Sequence, residues 1–574
     1  MNKTVAFFIP YFWTPHIETD LELVHRHIKD GDEVVLFICE SELPTCYSNR
    51  SHDLSVCNLC IGRRRSALHL TQLGPRVKIR NFVNMTDADL VLLEQYKGVT
   101  PQTREDLLAV RLGDCYIGRT IYNELCSFQN DIAPSLQLDA DYVTKAIESA
   151  AMVYLSFKNN FAECSADIFY TFNGRFAIAQ PSLIAAREAG ITYAVHDRAG
   201  AMNRFWLVEN QSLHSIRYYN VEARRLWAAS ERSDEEKYKI GSEWYEERVR
   251  DAKQSWFSFT SEQSVPLPDG FDPAKTNIVI FNSSEWEVAV MDDYVLRLYE
   301  SQNEALVRIA KDLENHENID IYLRVHPYLK GTNNSQIAFI ESNLTNKYRN
   351  FHVIPAESPI KTYSLMRSAD AVISFGSTTG AEAAYHGIPS ILLGPAWYED
   401  LDACFKPDSH ENLVALISSQ GYKLSEQQRE QRKLEAIVYG YFSQESGETY
   451  TIFKQTDIFE IKYLGANAPG ATVTNEPPSY ADGLRKELEQ RLELTDSVAP
   501  NPLASTVLEL QRVADVLLIE NEQLAAQVAS EEARAIALAL GRQEAPVSRR
   551  HRYVRKLAEL KRRVGQRVRR LFSY

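Results

Sequence analysis

The sequence predicts an α/β protein built of two Rossmann-like halves facing a cleft. Three observations lead there. Short apolar runs of strand length recur, separated by stretches of helical periodicity. Several of these runs end in clusters of Ser, Thr, Asn, His and Arg. Between Ile319 and Tyr398 the chain reads IDIYLRVHP, then SPIKTYSLMRSADAVISFGSTTGAEAAYHGIPSILLG, then PAWY, so that a helix starts where the glycines lie. An open parallel sheet places its anion site in this way, at the carboxyl ends of its strands. A nucleoside diphosphate or a nucleoside monophosphate sugar fits such a site.

The first half spans 1–260. VAFFIP and DEVVLFICE are its first two buried strands, with a helix from Glu18 to Lys29 between them. ADIFYTF and ITYAVHD repeat the pattern around the helix PSLIAAREAG, and Gly190 is a suitable C-terminal residue for that helix. Residues 230–255 are charged, carry Trp and Tyr, and read as a helix leading onward. The second half spans 261–460, with NIVIFN, IDIYLRVHP, FHVIPA, DAVISFG and SILLG as strands. Ser358-Pro359 reads as a helix start, a hydroxyl cap followed by Pro at the first helical position. Residues 424–442 form a closing helix.

Residues 461–502 then turn into a Pro-rich linker. Leu503, Val507, Leu510, Ala514, Leu517, Asn521, Leu524 and Val528 alternate steps of four and three, which predicts a coiled coil over 503–541. Asn521 at an inner position favours a two-stranded, in-register coil, hence a homodimer. Glu531 occupies the next seam position and weakens it. Residues 542–574 are a basic tail with Val554, Leu557, Leu560, Val564, Val568 and Leu571 at helical spacing. An amphipathic helix of this kind lies on an anionic membrane surface; the alternatives are a solvated helix or one bound to the acidic body of the protein.

Composition narrows the class. The 574 residues, 44% apolar and 24% charged, suit a soluble globular protein of two or three domains. A net charge of −14 excludes general nucleic-acid binding. It hides an asymmetry, because residues 549–574 carry eleven Lys/Arg and one Glu. The opening MNKTVAFFIPYFW is broken early by Pro10 and reads as a core strand, not a signal peptide. No run is long enough to span a membrane. The expected location is cytoplasmic, peripheral at the inner face of the cell membrane. The eight cysteines are too sparse for a disulfide scaffold. Cys46, Cys57 and Cys60, with His52, have zinc-ligand character, but a single C-x2-C pair favours reduced thiols over a metal site.

Three strand ends in the second half carry the chemistry. The first supplies Ser283, Ser284 and Glu285. The second supplies Arg324 and His326, on one side of their strand. The third supplies Ser377, Thr378, Thr379 and Gly380, ahead of a helix containing Glu382. Amides at the start of that helix bind phosphate oxygens, Arg324 and His326 add donors, and Glu382 accepts from ribose hydroxyls. In the first half Pro10–Asp20, Asn173-Gly174-Arg175 and His196-Asp197-Arg198 follow strands and line the opposite wall. His16, Glu18 and Asp197 are the candidates for a catalytic base.

R-V-H-P followed by S-A-D-A-V-I-S-F-G-S-T-T-G-A-E-A-A-Y-H-G-I-P resembles bacterial capsule and surface-polysaccharide glycosyltransferases of the GT-B fold, in particular the Kdo-transferase-like and sialyltransferase-like groups. The resemblance implies that His326 and Ser377–Thr379 hold the nucleotide and phosphate of a CMP- or UDP-linked sugar donor, with no resident cofactor. It implies a surface glycan or lipid-linked acceptor, and phosphate stabilisation by amides and cations in place of a metal. No D-x-D dyad occurs between Ser358 and Pro395, which agrees. The E-x7-E arrangement of many retaining members is missing, which leaves the stereochemistry open. The same turn resembles CDP-glycerol transferases and sugar-nucleotide epimerases, and a non-enzymatic assembly scaffold is a third reading.

Overall fold

The computed structural model describes residues 2–71, 73–250, 263–332, 334–465 and 472–474. The chain divides into two compact units, residues 1–52 with 67–475, and residues 53–66 with 476–574. In the second unit the described part is residues 53–66, helical from Leu54. The coiled-coil seam over 503–541 and the basic tail over 542–574 lie outside the described residues.

The first unit contains both α/β halves. In the first, β1 (Thr4–Ile9), β2 (Glu33–Ile38), β3 (Val77–Asn81), β4 (Ile168–Phe172) and β5 (Thr192–Arg198) pair in parallel, and β6 (Arg204–Glu209) runs antiparallel to β5. In the second, β7 (Thr276–Phe281), β8 (Ile319–Arg324), β9 (Phe351–Ile354), β10 (Ala371–Ser374) and β11 (Ser390–Leu392) form a wholly parallel sheet in the order β11-β10-β7-β8-β9. Every residue of β4, β7, β8 and β10 is buried. Helices cover both faces of such a sheet, so its strands read as continuous apolar runs, which is why they stood out in the sequence. This pair of Rossmann-like sheets is the GT-B architecture.

All nine strands expected from apolar runs are present. The helix expected from Glu18 to Lys29 runs from His16 to Asp30, and the closing helix runs from Glu426 to Glu445 behind a Ser425–Gln428 capping box. Strand β3 (VKIRN) was not foreseen: it is an edge strand with little apolar content.

Three boundaries differ from expectation. Ser358-Pro359 does not start a helix, which begins instead at Thr362. The Pro359 carbonyl accepts from the backbone N–H groups of Ser264 and Val265, and the Lys361 N–H donates to the Val265 carbonyl. That backbone pairing holds the segment extended past the expected cap. Second, the half predicted to end at 460 hands the chain back earlier. The helix Glu426–Glu445 packs on the first half's helix Asp234–Val249, and β12 (Glu448–Thr449) joins β6, completing a seven-stranded sheet. Third, the predicted linker is ordered at its start. β13 (Phe453–Asp457), β14 (Glu460–Tyr463) and β15 (Thr472–Thr474) form a three-stranded antiparallel sheet.

Both large sheets reverse their strand order once. In the first half β1 lies between β2 and β4; in the second β7 lies between β8 and β10. A crevice opens outside the carboxyl ends at each such switch point. The polar clusters picked out in the sequence flank these two positions.

Candidate functional site

The register Phe281↔Ser374 brings the ends of β7 and β10 to the same level, on either side of the second-half switch point. Asn282, Ser283 and Ser284 leave one strand there, and Gly376 to Gly380 leave the other. Nδ2 of Asn282 and the hydroxyls of Ser283, Ser284 and Thr379 are buried with no hydrogen-bond partner among the described residues. An unsatisfied buried polar group costs about 1–3 kcal/mol, so four around one crevice form a set that a ligand would complete.

The turn before the helix Thr379–Tyr385 depends on its glycines. Gly376 has φ +107°, and a Cβ there would lie 2.3 Å from the Pro395 carbonyl oxygen. A Cβ at Gly380 would lie 2.4 Å from the Tyr398 hydroxyl and 2.5 Å from Ser374 Oγ. Tyr398, from the PAWY segment, donates to the Ser377 carbonyl and props the turn from beneath. Its neighbour Trp397 stacks on Tyr219 of the first half at 4.2 Å between ring centroids.

Other expected donor-site residues have different partners. Both terminal nitrogens of Arg324 donate to backbone carbonyls, Nη1 to Pro355 and Nη2 to Ser358, and the residue is buried. Burial pulls its pKa down to about 10, though Glu357 opposes this. Arg324 therefore fixes the loop after β9. Glu285 accepts from the Gln302 N–H and so serves the start of the helix Gln302–Leu313. Glu382 is nearly saturated: Oε1 accepts from Thr378 Oγ1 at 2.8 Å and Arg248 Nε at 3.2 Å, and Oε2 accepts from the Tyr363 hydroxyl at 2.7 Å.

His326 is partly exposed at the end of β8. Its backbone N–H donates to Asn282 Oδ1 at 2.8 Å, which ties the β7 and β8 ends together, and its Nδ1 accepts from the Tyr328 N–H. Burial, with help from the Arg324 charge, lowers its pKa to about 4, so it is a neutral imidazole at neutral pH.

In the first half, His16 opens the helix Leu21 belongs to, and Asp197 lies near the end of β5. His16 Nδ1 is 3.9 Å from Asp197 Oδ1 and has no hydrogen-bond partner among the described residues. Its ring lies 3.7 Å from that of Phe172. Burial above all, then the positive fields of Arg198 and His196, pushes its pKa well below the ordinary value. Asp197 accepts from Asn173 Nδ2 and from the Arg198 backbone N–H, each at 2.7 Å. The structure thus brings His16 and Asp197 together. Glu18, two residues further along the same helix and so on another face, is buried near Tyr450 of the returning segment.

Arg175 was expected on the cleft wall, with no role of its own. It follows β4, and its Nη1 donates to the Glu287 carbonyl at 2.9 Å, just beyond the β7 end. The polar strand ends of the two halves therefore meet. Arg119 makes a second crossing, to the Val290 carbonyl and the Asp292 carboxylate. Arg248 was not singled out, because one Arg in a charged helix carries no pattern. It reaches from the helix Asp234–Val249 to the Ser377–Gly380 turn. Among the described residues no group of three or more His, Cys, Asp or Glu is placed to hold a metal ion, and no helix is long and apolar enough to cross a membrane.

Residues 287–401 match a family described as capsule polysaccharide biosynthesis protein. No curated protein sequence matches the chain. Among solved structures, KpsC of Thermosulfurimonas dismutans, a β-Kdo 2,4 transferase, aligns at 16% identity over 48% of this chain and 79% of its own, with a TM-score of 0.31. The UDP-GlcNAc 2-epimerase of Neisseria meningitidis aligns at 11% identity over 77% of this chain and 97% of its own, with a TM-score of 0.25. CalG4, the calicheamicin glycosyltransferase, aligns at 9% identity over 77% of this chain and 95% of its own, with a TM-score of 0.26.

Proposed function

We propose that this chain is a glycosyltransferase of capsule polysaccharide biosynthesis, which moves a sugar from a nucleotide-sugar donor to a glycan or lipid-linked acceptor. The observation that carries the reading is the set of unpartnered polar atoms on Asn282, Ser283, Ser284 and Thr379 around the second-half switch point. The capsule-biosynthesis match over residues 287–401 begins just after Ser284, includes Thr379 and the Ser377–Gly380 turn, and supports it. The donor's phosphate sits at the Ser377–Gly380 turn, with His326 as a neutral donor or acceptor beside it. The Gly376 and Gly380 positions let the turn pack closely on Pro395 and Tyr398, which holds its backbone in place.

The acceptor enters from the first half. His16 is the general base: held neutral by its burial, it takes the proton from the attacking hydroxyl. Asp197, 3.9 Å away, stabilises the imidazolium that forms. Asn173 and the Arg198 amide hold that carboxylate in place. The leaving phosphate is stabilised by amides and side-chain cations, without a resident metal. Outside the described residues, the 503–541 seam makes the homodimer and the 549–574 tail binds an anionic membrane surface from the cytoplasmic side.

The test is product formation by the purified protein from CMP- and UDP-linked sugars, with and without a glycan acceptor, in EDTA. Acceptor-dependent transfer that is abolished in His16→Ala, while nucleotide binding survives, is the expected result. Isomerisation of the sugar nucleotide without acceptor would make the protein an epimerase. Failure of every nucleotide to bind would leave only the assembly-scaffold reading. For the tail, equal liposome flotation of full-length protein and a 1–545 truncation would remove the membrane contact.

A further inference from the structure

We propose that the acceptor's sugar ring binds between the halves, hydrogen-bonded by Arg175 and Glu287 and walled by Tyr47 on one side and Tyr328 on the other. The assignment rests on the glycosyltransferase reading above and deepens it, giving the acceptor a subsite and a class, an uncharged pyranose. The two walls are held to each other. The turn Glu285–Val288 packs on the helix Ile117–Gln129, and Tyr47 rests on Phe128 of that helix, 4.9 Å between ring centroids. Arg175 Nη1 donates to the Glu287 carbonyl at 2.9 Å. Its guanidinium lies 5.3 Å over the Phe176 ring, which backs Tyr47 at 4.4 Å. In the second half the Trp286 ring backs Tyr328 at 5.4 Å, with 33° between their planes.

The polar groups at this junction are unspent. Arg175 meets Glu287 through the carbonyl and not the carboxylate, and among the described residues neither side chain has an ion-pair partner. Arg175 Nε, Trp286 Nε1 and Ser48 Oγ, next to Tyr47, are buried with no hydrogen-bond partner among the described residues. Trp286 is 7% exposed, so its ring N–H has given up water without gaining a protein acceptor. Glu287 is exposed, yet the protein crowding it raises its pKa against the opposing Arg175 charge, as for a carboxylate on a crevice wall. Tyr47 feels both Arg175 and Tyr328, which sets the two walls within range of each other. Donors on Arg175 and Trp286 and an acceptor on Glu287, between aromatic faces, suit the hydroxyls and the C–H face of a pyranose. One cation and one carboxylate leave no net charge, which favours an uncharged sugar over an acidic one. The position is the acceptor's. On one side Trp13, whose ring lies 5.6 Å from that of Tyr47, accepts the His16 N–H on its carbonyl at 2.9 Å, one turn from the proposed base. On the other the Glu287 N–H donates to the Ser284 carbonyl at 3.2 Å, one turn from the donor crevice.

Saturation-transfer NMR of the full-length protein reads the subsite, with the methyl glycosides of glucose, galactose, mannose and N-acetylglucosamine, and with glucuronate, as probes. Calorimetry with CMP and UDP on the same preparations reads the donor site. At least one neutral glycoside binds the wild type, and more tightly than glucuronate. Trp286→Phe, which keeps an aromatic ring and removes the N–H, weakens that glycoside by about threefold to tenfold, and Glu287→Ala and Arg175→Met weaken it by about tenfold or more. Glu287→Gln, which still offers an acceptor, keeps part of the affinity. All four variants hold nucleotide affinity within about threefold, and saturating CMP or UDP leaves the glycoside bound. Undiminished glycoside affinity in the variants, a preference for glucuronate, or joint loss of glycoside and nucleotide affinity overturns the assignment. Displacement of the glycoside by a CMP- or UDP-linked sugar, but not by the nucleotide alone, overturns it too and makes this the place of the donor's sugar. A wild type that binds nucleotide and no glycoside overturns the subsite and leaves the donor site standing; one that binds no nucleotide overturns the reading on which the subsite rests. If Arg175→Met does not fold, as judged by its thermal melt, Trp286→Phe and Glu287→Ala carry the comparison, since both keep the carbonyl to which Arg175 donates.

Discussion

His196 Nε2 lies 2.8 Å from Asp20 Oδ1, with both side chains wholly buried and 176 residues of chain between them. The second Asp20 oxygen accepts from the Tyr11 hydroxyl. This network ties the loop after β1 and the helix His16–Asp30 to β5, one residue from Asp197. It sets where His16 stands relative to Asp197. Asp20→Asn cannot accept through both side-chain atoms and leaves a buried donor opposed. Urea unfolding should show a loss of about 1–3 kcal/mol, and transfer should fall with nucleotide affinity unchanged.

The unpartnered hydroxyls predict an unusual pairing of effects. Ser284→Ala and Thr379→Val remove hydroxyls that have no partner among the described residues. Their stability should therefore hold or rise by about 1 kcal/mol, while nucleotide affinity drops about threefold to tenfold. Thermal melts and titrations on the same preparations check both signs. A loss of stability with unchanged affinity would remove these residues from the site.

Glu124 is wholly buried, accepting from the Tyr142 hydroxyl and the Ala177 N–H, and burial raises its pKa from 4.5 to about 7. Between these values the folded protein holds a proton that the unfolded chain has lost, so stability from this group is complete below pH 4.5 and is lost as pH rises through about 7. Glu124→Gln removes the dependence. The stability of the variant relative to wild type should improve by about 2–4 kcal/mol between pH 4.5 and pH 8, read from urea unfolding at both.

Gly241→Ala places a methyl group against the Ile437 carbonyl at the helix crossing. Overpacking of this kind costs about 1–3 kcal/mol. Because Arg248 of the same helix bonds to Thr378 of the Ser377–Gly380 turn, nucleotide affinity should fall with it, whereas Gly190→Ala, where a Cβ meets nothing but φ is +71°, should lose stability through local strain and leave affinity unchanged. Melting and titration of the two variants make the comparison.

The legible parts of the fold share one property. Strands such as β7 and β10 are buried on both faces, so their apolar runs needed no knowledge of their neighbours. The turn Gly376–Gly380 was equally visible, since the demand for a residue without Cβ is local. Strand β3, almost wholly exposed at an edge, left too weak a pattern, and Ser358-Pro359 carried a sound capping signal that long-range pairing with Ser264 and Val265 overrode.

Sequence by itself determined that two parallel α/β sheets would form and that Ser283, Ser284 and Ser377–Gly380 would stand at strand ends, because hydrophobic period and glycine placement act over a few residues. Tertiary structure alone decided which partner each charged side chain found. Arg324 turned to the carbonyls of Pro355 and Ser358, Arg248 came from 130 residues away to Thr378, and His16 met Asp197 across two strands. A cation is drawn to whatever acceptor lies within a few ångströms, and that neighbour is set by packing, such as the Gly241–Gly440 crossing, far from it in the chain.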